Sequence, residues 1–160
     1  MRLVAVDGPS GSGKTTFACE LARALGAGLL STDDFATWDD PVAWWPRVAG
    51  GVLDPLRRGE PGRYRRMVWT GGEPVLGPEV VVEVPDVLVL EGVSSGRRAV
   101  SPLLTHLVWC EVPDRAERLR RVLDRDGEAG EPHFRRWQEF ETGWFAVDGT
   151  RSRADSIFTS

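Results

Sequence analysis

The run Gly8-Pro9-Ser10-Gly11-Ser12-Gly13-Lys14-Thr15 constrains this chain more than any other feature. It satisfies the pattern G-x-x-x-x-G-K-[ST] without mismatch, between an apolar run, Leu3–Val6, and an amphipathic segment, Lys14–Leu25. Glycines let the backbone curl until successive N–H groups point inward and form a nest for phosphate oxygens. A helix starting there adds the positive end of its dipole. Lys14 can then reach β- and γ-phosphates, and the Thr15 hydroxyl can ligate Mg²⁺. The phosphate-holding residues are Gly8, Ser10, Gly11, Ser12, Gly13, Lys14, Thr15 and Thr16. A flexible glycine turn is the alternative, but three glycines and a lysine fall on these positions by chance in about one chain in a thousand. Lys14 is also the single lysine among 20 basic residues.

Alternation of strand and helix signals sets the architecture. Leu3–Val6, Gly28–Ser31, Val87–Glu91 and His106–Val112 read as short buried strands, and Ala154–Phe158 as a last one. Helices are expected over Lys14–Leu25, stopped by Gly26, over Asp114–Arg125, and from about Pro132 to Ala146. In the last of these, Phe134, Trp137, Phe140 (or Glu141 beside it) and Trp144 recur at helical spacing. Asp40-Pro41 reads as a helix start, and Pro46 and Pro55 divide residues 35–60 into two short helices ending near Gly59. Tyr64 to Val84 is strand-like, with Gly71-Gly72 as a turn and Val80–Val82 as an edge segment. The expectation is one α/β domain over residues 1–160, a P-loop NTPase fold: a five-stranded parallel sheet with helices on both faces and a small lid near 125–133. Ligands of such sheets gather at the carboxyl ends of the strands, where Gly8, Asp33 and Glu91 all fall.

Two carboxylate positions matter there. Asp33-Asp34 follows the second strand. Either one faces the γ-phosphate as a base for an attacking hydroxyl, or both cap a local turn; Asp33, closer to the strand, is the better candidate. Glu91 ends a strand of four apolar residues and needs a partner, either Mg²⁺ or an arginine. The helix with Arg115, Arg118, Arg120, Arg121 and Arg125 is either a solvated face, offset by Glu117, Asp124 and Asp126, or the root of a lid. In the latter case Arg121 and Arg125 are placed to reach phosphates.

Other features exclude more than they assign. A net charge of −4 argues against a general grip on nucleic acid. No apolar run is long enough to span a membrane, and no signal-like segment precedes Asp7, so a cytoplasmic protein is expected, with a homodimer possible. The chain has no Asn, and hence no Asn-Lys-x-Asp guanine-reading motif. Cys19 and Cys110 read as small buried apolar residues, and His106 and His133 lack metal-like spacing. Trp38, Trp44, Trp45, Tyr64 and Trp69 lie where an acceptor pocket belongs; each is either a stacking platform or core, whereas Trp137 and Trp144 read as core.

Taken together, Gly8–Thr16, Ser31-Thr32-Asp33-Asp34-Phe35, Leu90-Glu91-Gly92, Arg121…Arg125-Asp126 and Ala154-Asp155 resemble the uridine kinase and nicotinamide riboside kinase branch of P-loop kinases, in particular small uridine-kinase-like proteins of high-GC bacteria. The resemblance implies transfer of the γ-phosphate of MgATP to a hydroxyl of a nucleoside or nucleoside-like acceptor. It implies Asp33 as general base, Lys14 and the lid arginines Arg121 and Arg125 as catalytic cations, and Thr15 and Glu91 as the Mg²⁺ residues. Ala36 stands where the family usually carries an aromatic residue, and residues 60–84 do not map onto its nucleoside contacts. Alternatives are another small acceptor (a pyridine riboside, vitamin precursor, sugar or antibiotic) or a nucleotide-dependent regulatory ATPase.

Overall fold

A computed structural model describes residues 1–39, 41–70 and 73–160. Among them the order is β1 (Arg2–Asp7), α1 (Lys14–Leu25), β2 (Gly28–Ser31), α2 (Trp45–Val48), α3 (Asp54–Arg57), β3 (Gly62–Thr70), β4 (Glu73–Val82), β5 (Val87–Glu91), β6 (His106–Glu111), α4 (Arg115–Asp126), α5 (Glu131–Asp148), α6 (Thr150–Arg153) and β7 (Ser156–Thr159). The helix start at Asp40 and the turn at Gly71-Gly72 lie outside the described residues.

Five strands form one sheet in the order β2-β5-β1-β6-β7, and every pairing is parallel. Successive side chains in a strand point to opposite faces, so each central strand feeds two cores. Leu3, Leu30, Leu88 and Leu90 face one side and meet Phe35, Trp44, Val48, Val52, Leu53 and Leu56. Val4, Val6, Val87, Val89, Val108 and Cys110 face the other and meet Ala18 and Ala22 of α1. Those two alanines are small and buried, which lets α1 lie close to the sheet and starts it directly above the end of β1. The parallel five-stranded sheet expected from the strand pattern is therefore present, covered on both faces.

Three local readings become specific. Trp44 is fully buried in the first core and donates its indole N–H to Ser94 Oγ (2.9 Å), so it is no stacking platform for a ligand. α2 and α3 are joined by a wide π-helical turn over Ala49–Leu53, with Pro46 and Pro55 near their starts, where a missing N–H costs nothing. β3 and β4 form a separate antiparallel hairpin with a bulge between Arg65 and Met67, outside the main sheet; Val80–Val82 belongs to that hairpin. Cys110 is buried as expected, but Cys19 is only partly so.

α5 is longer than its expected span, and its buried positions are Phe134, Gln138, Glu141 and Asp148 rather than an aromatic stripe. Trp137 and Trp144 are only half-buried, and Phe140 is exposed. They are not the core residues their spacing suggests. One polar side chain of that buried stripe, Glu141, reaches the phosphate loop.

Candidate active site

The loop between β1 and α1 is held from three directions. Gly8 has φ +153°, and a Cβ there would lie 2.1 Å from the carbonyl oxygen of Cys110. Gly11 has φ +78°, and its Cβ would lie 2.3 Å from the carbonyl oxygen of Arg118 on α4. Only glycine combines these conformations with so close an approach. From below, the last residue of β1, Asp7, is fully buried and accepts N–H bonds from Gly8 (2.7 Å), Ser94 (2.9 Å) and Gly96 (2.8 Å). One carboxylate thus ties the start of the loop to the segment that follows β5.

Burial outweighs those three donors and pushes the Asp7 carboxyl up from 3.8 to about 7. A carboxyl raised in the folded state stabilises the fold fully below its unfolded value, and that contribution is lost as pH rises through the folded one. We therefore expect urea stability of the native chain to fall, relative to Asp7→Asn, as pH rises from about 4 to 7. Unfolding midpoints of the two chains measured across that window check it; parallel curves would contradict it.

The catalytic candidates converge above this base. Lys14 is buried, and its ammonium lies 3.4 Å from the Pro9 carbonyl oxygen. The Thr15 hydroxyl donates to Glu91 Oε2 (3.2 Å), and Ser31 Oγ donates to Glu91 Oε1 (2.5 Å). Burial raises the Glu91 carboxyl, as does the nearby Asp33 charge, while Lys14 acts the other way. Thr15 and Glu91 thus present adjacent hard oxygen ligands at the foot of the loop. That donor set suits Mg²⁺, which takes one or two protein oxygens and completes its shell with phosphate and water. Ser12 Oγ, buried in the same loop, has no hydrogen-bond partner among the described residues, as expected of a cradle shaped for an external oxyanion.

The two adjacent aspartates separate cleanly. Asp34 accepts a hydrogen bond from the Tyr64 hydroxyl and pairs with Arg66 (3.3 Å), tying the end of β2 to the hairpin. Asp33 is exposed and lines the cleft with Ser10, Gly11, Lys14, Thr15, Arg125 and Glu141. Of the two candidate arginines, Arg125 lines the cleft and is bonded to Asp126. Arg121 instead bonds Glu117 (2.9 Å) and Ser160 Oγ (2.9 Å), and Ser160 sits against Gly13.

The rest of the cleft lining is largely apolar, with Ala36, Pro41, Val93, Phe134, Trp137 and Phe140. Trp38 stacks on His133 and packs edge-on to Trp69, so these rings clamp the hairpin to α5. Tyr64 stacks on Phe35, and Trp45 packs on the first core. The aromatic lining thus comes mainly from α5, not from the five aromatics of residues 38–69.

Sequence reasoning also passed over Glu141. Its Oε2 accepts the Ser10 backbone N–H (3.0 Å), and its Oε1 accepts the Ser10 hydroxyl. The only signal for it was position: Gln138 and Glu141 share a helix face with Phe134.

No protein-family model matches the chain, and no curated protein matches it. Among solved structures it is similar to one described as a possible uridine kinase from Bacillus stearothermophilus, with 17% identity, a TM-score of 0.69 and coverage of 98% of this chain and 88% of the other. It is also similar to the shikimate kinase from Acinetobacter baumannii in complex with shikimate (16% identity, TM-score 0.55, 100% and 84% covered). A third is the shikimate kinase from Bacteroides thetaiotaomicron (13% identity, TM-score 0.51, 99% and 85% covered). At such identities what is shared is the fold, and that fold is the α/β architecture of the P-loop kinases.

Proposed function

We propose that this chain is an ATP-dependent kinase of a small hydroxyl acceptor. The observation that carries the reading is the convergence of Lys14, Thr15, Glu91 and Asp33 at the carboxyl ends of β1, β5 and β2. The loop amides and Lys14 hold the triphosphate, and Thr15 and Glu91 hold its Mg²⁺. When bound, the ion offsets phosphate charge. Asp33 takes the proton of the acceptor hydroxyl as that oxygen bonds to the γ-phosphorus and the bond from phosphorus to the ADP oxygen breaks. Residues near 125–133 form the lid, and Arg125 offsets charge on the phosphoryl group in flight, with Arg121 as the second cation once the lid closes.

For the acceptor we propose a nucleoside or nucleoside-like compound. The aromatic lining supplied by Phe134, Trp137 and Phe140 supports a ring-bearing substrate, as does the likeness to a possible uridine kinase. The shikimate kinases with the same fold keep a non-aromatic acceptor as the second reading. The test is ADP release with magnesium and a panel of nucleosides, pyridine ribosides, sugars and shikimate, each product weighed by mass spectrometry. A nucleoside that stimulates turnover and gains one phosphoryl group supports the reading. Slow hydrolysis indifferent to every acceptor makes the chain a nucleotide-dependent ATPase instead.

A further inference from the structure

A carboxylate bonded to a phosphate loop is out of place electrostatically. The loop attracts anions, and Glu141 supplies one from within the chain. Its two oxygens take both Ser10 donors, the backbone N–H at 3.0 Å and the hydroxyl. The group is buried, and burial raises its carboxyl above the ordinary range even against the Ser10 bonds and the Lys14 charge. It shares the cleft with Lys14, whose ammonium reaches β- and γ-phosphates, and with Asp33, the acceptor base. Glu141 therefore stands at the transfer end of the cradle. The cleft as a whole, from Ser10 to Phe140, measures about 40 Å³, far below the roughly 300 Å³ at which small-molecule sites begin, so a ligand enters only if lining side chains move.

A second partner waits nearby. Arg118 on α4 has a buried Nε without a hydrogen-bond partner among the described residues, although its Nη1 bonds the Val112 and Pro113 carbonyls. It lies within electrostatic reach of Glu141, and its carbonyl abuts Gly11. α5 itself is bracketed by Gly127 and Gly149, both at positive φ. Arg118 thus offers the Glu141 side chain a donor other than Ser10, which is what a bistable element requires.

We propose that Glu141 is a built-in competitor for the terminal phosphate, and so a determinant of triphosphate-over-diphosphate selectivity; this rests on the kinase reading above. Without nucleotide the carboxylate occupies the Ser10 end of the loop. A triphosphate seats only when Glu141 leaves Ser10 and turns to Arg118, freeing the Ser10 donors. A diphosphate, which does not extend to that end, leaves Glu141 in place. Removing the charge therefore favours the triphosphate alone.

The test is calorimetric titration of the full chain and of Glu141→Gln with a non-hydrolysable ATP analogue and, separately, with ADP, magnesium present throughout. The amide keeps the size of the carboxylate and one acceptor oxygen. The expected result is about tenfold tighter binding of the analogue by the variant, the equivalent of one charged hydrogen bond no longer displaced, with ADP affinity changed less than threefold. If Glu141→Gln fails to fold by circular dichroism, Glu141→Asp, which keeps the charge but is one methylene too short to hold both Ser10 donors, is expected to give the same selective gain in smaller size. Analogue affinity that is unchanged or weakened, or an equal gain for both nucleotides, overturns the proposal. Binding by the variant alone supports it. Binding of neither nucleotide by either chain removes the kinase reading, and the competitor role with it; binding by the native chain without a selective gain removes the competitor role alone.

Discussion

Asp33→Asn is expected to lower acceptor-stimulated turnover by about 10²–10⁴-fold while ATP affinity stays within a few-fold. The asparagine keeps the size of the side chain and its place in the cleft, so nucleotide contacts persist, but it cannot take the acceptor proton. Asp34 cannot stand in, because Tyr64 and Arg66 hold its carboxylate toward the hairpin. Steady-state turnover with a responding acceptor, together with nucleotide titration, separates the two quantities. Near-normal turnover in the variant would remove Asp33 from the role of base. Asp34→Asn provides the contrast: it loosens the link to β3 and is expected to move acceptor KM more than kcat.

Lys14→Ala is expected to impair both steps, with nucleotide affinity falling by at least about tenfold and turnover by a further 10²-fold or more. Lys14 is buried in the cleft, and the carboxyl groups of Asp7, Glu91 and Glu141 all fall within its field. Removing it leaves that acidic surround without its central cation, so a polyanion is repelled where it was attracted. Nucleotide titration and single-turnover transfer measure the two losses. Survival of both would refute the assignment of residues 8–15 as the phosphate site.

Local signals carried most of the fold. The phosphate-loop pattern, the four apolar strand runs and the glycine after α1 are short-range features, and each maps onto its element within a residue or two. The placement of the candidate residues was legible for the same reason: Lys14 and Thr15 open α1 just past β1, Glu91 ends β5 and Asp33 follows β2, and strand ends in a parallel sheet converge. What depended on packing across the chain was not legible. Nothing local distinguishes Trp44, sealed in the core against Ser94, from Trp38, which clamps the hairpin to α5. The aromatic spacing in α5 pointed to Trp137 and Trp144 as core, but the buried face is rotated by one position and carries Gln138 and Glu141. A buried glutamate is uncommon enough that a helix face containing one reads as solvated until its partner is seen. That partner, Ser10, lies 131 residues earlier in the chain.

β3 and β4 hydrogen-bond to each other and to no strand of the main sheet. The ribbon is tied to the rest of the chain by side chains instead: Tyr64 stacks on Phe35 and bonds Asp34, Arg66 pairs with Asp34, and Trp69 packs against Trp38. No described residue of the ribbon lines the cleft, so a change within it would be felt at the site only at second hand, through those few anchoring side chains.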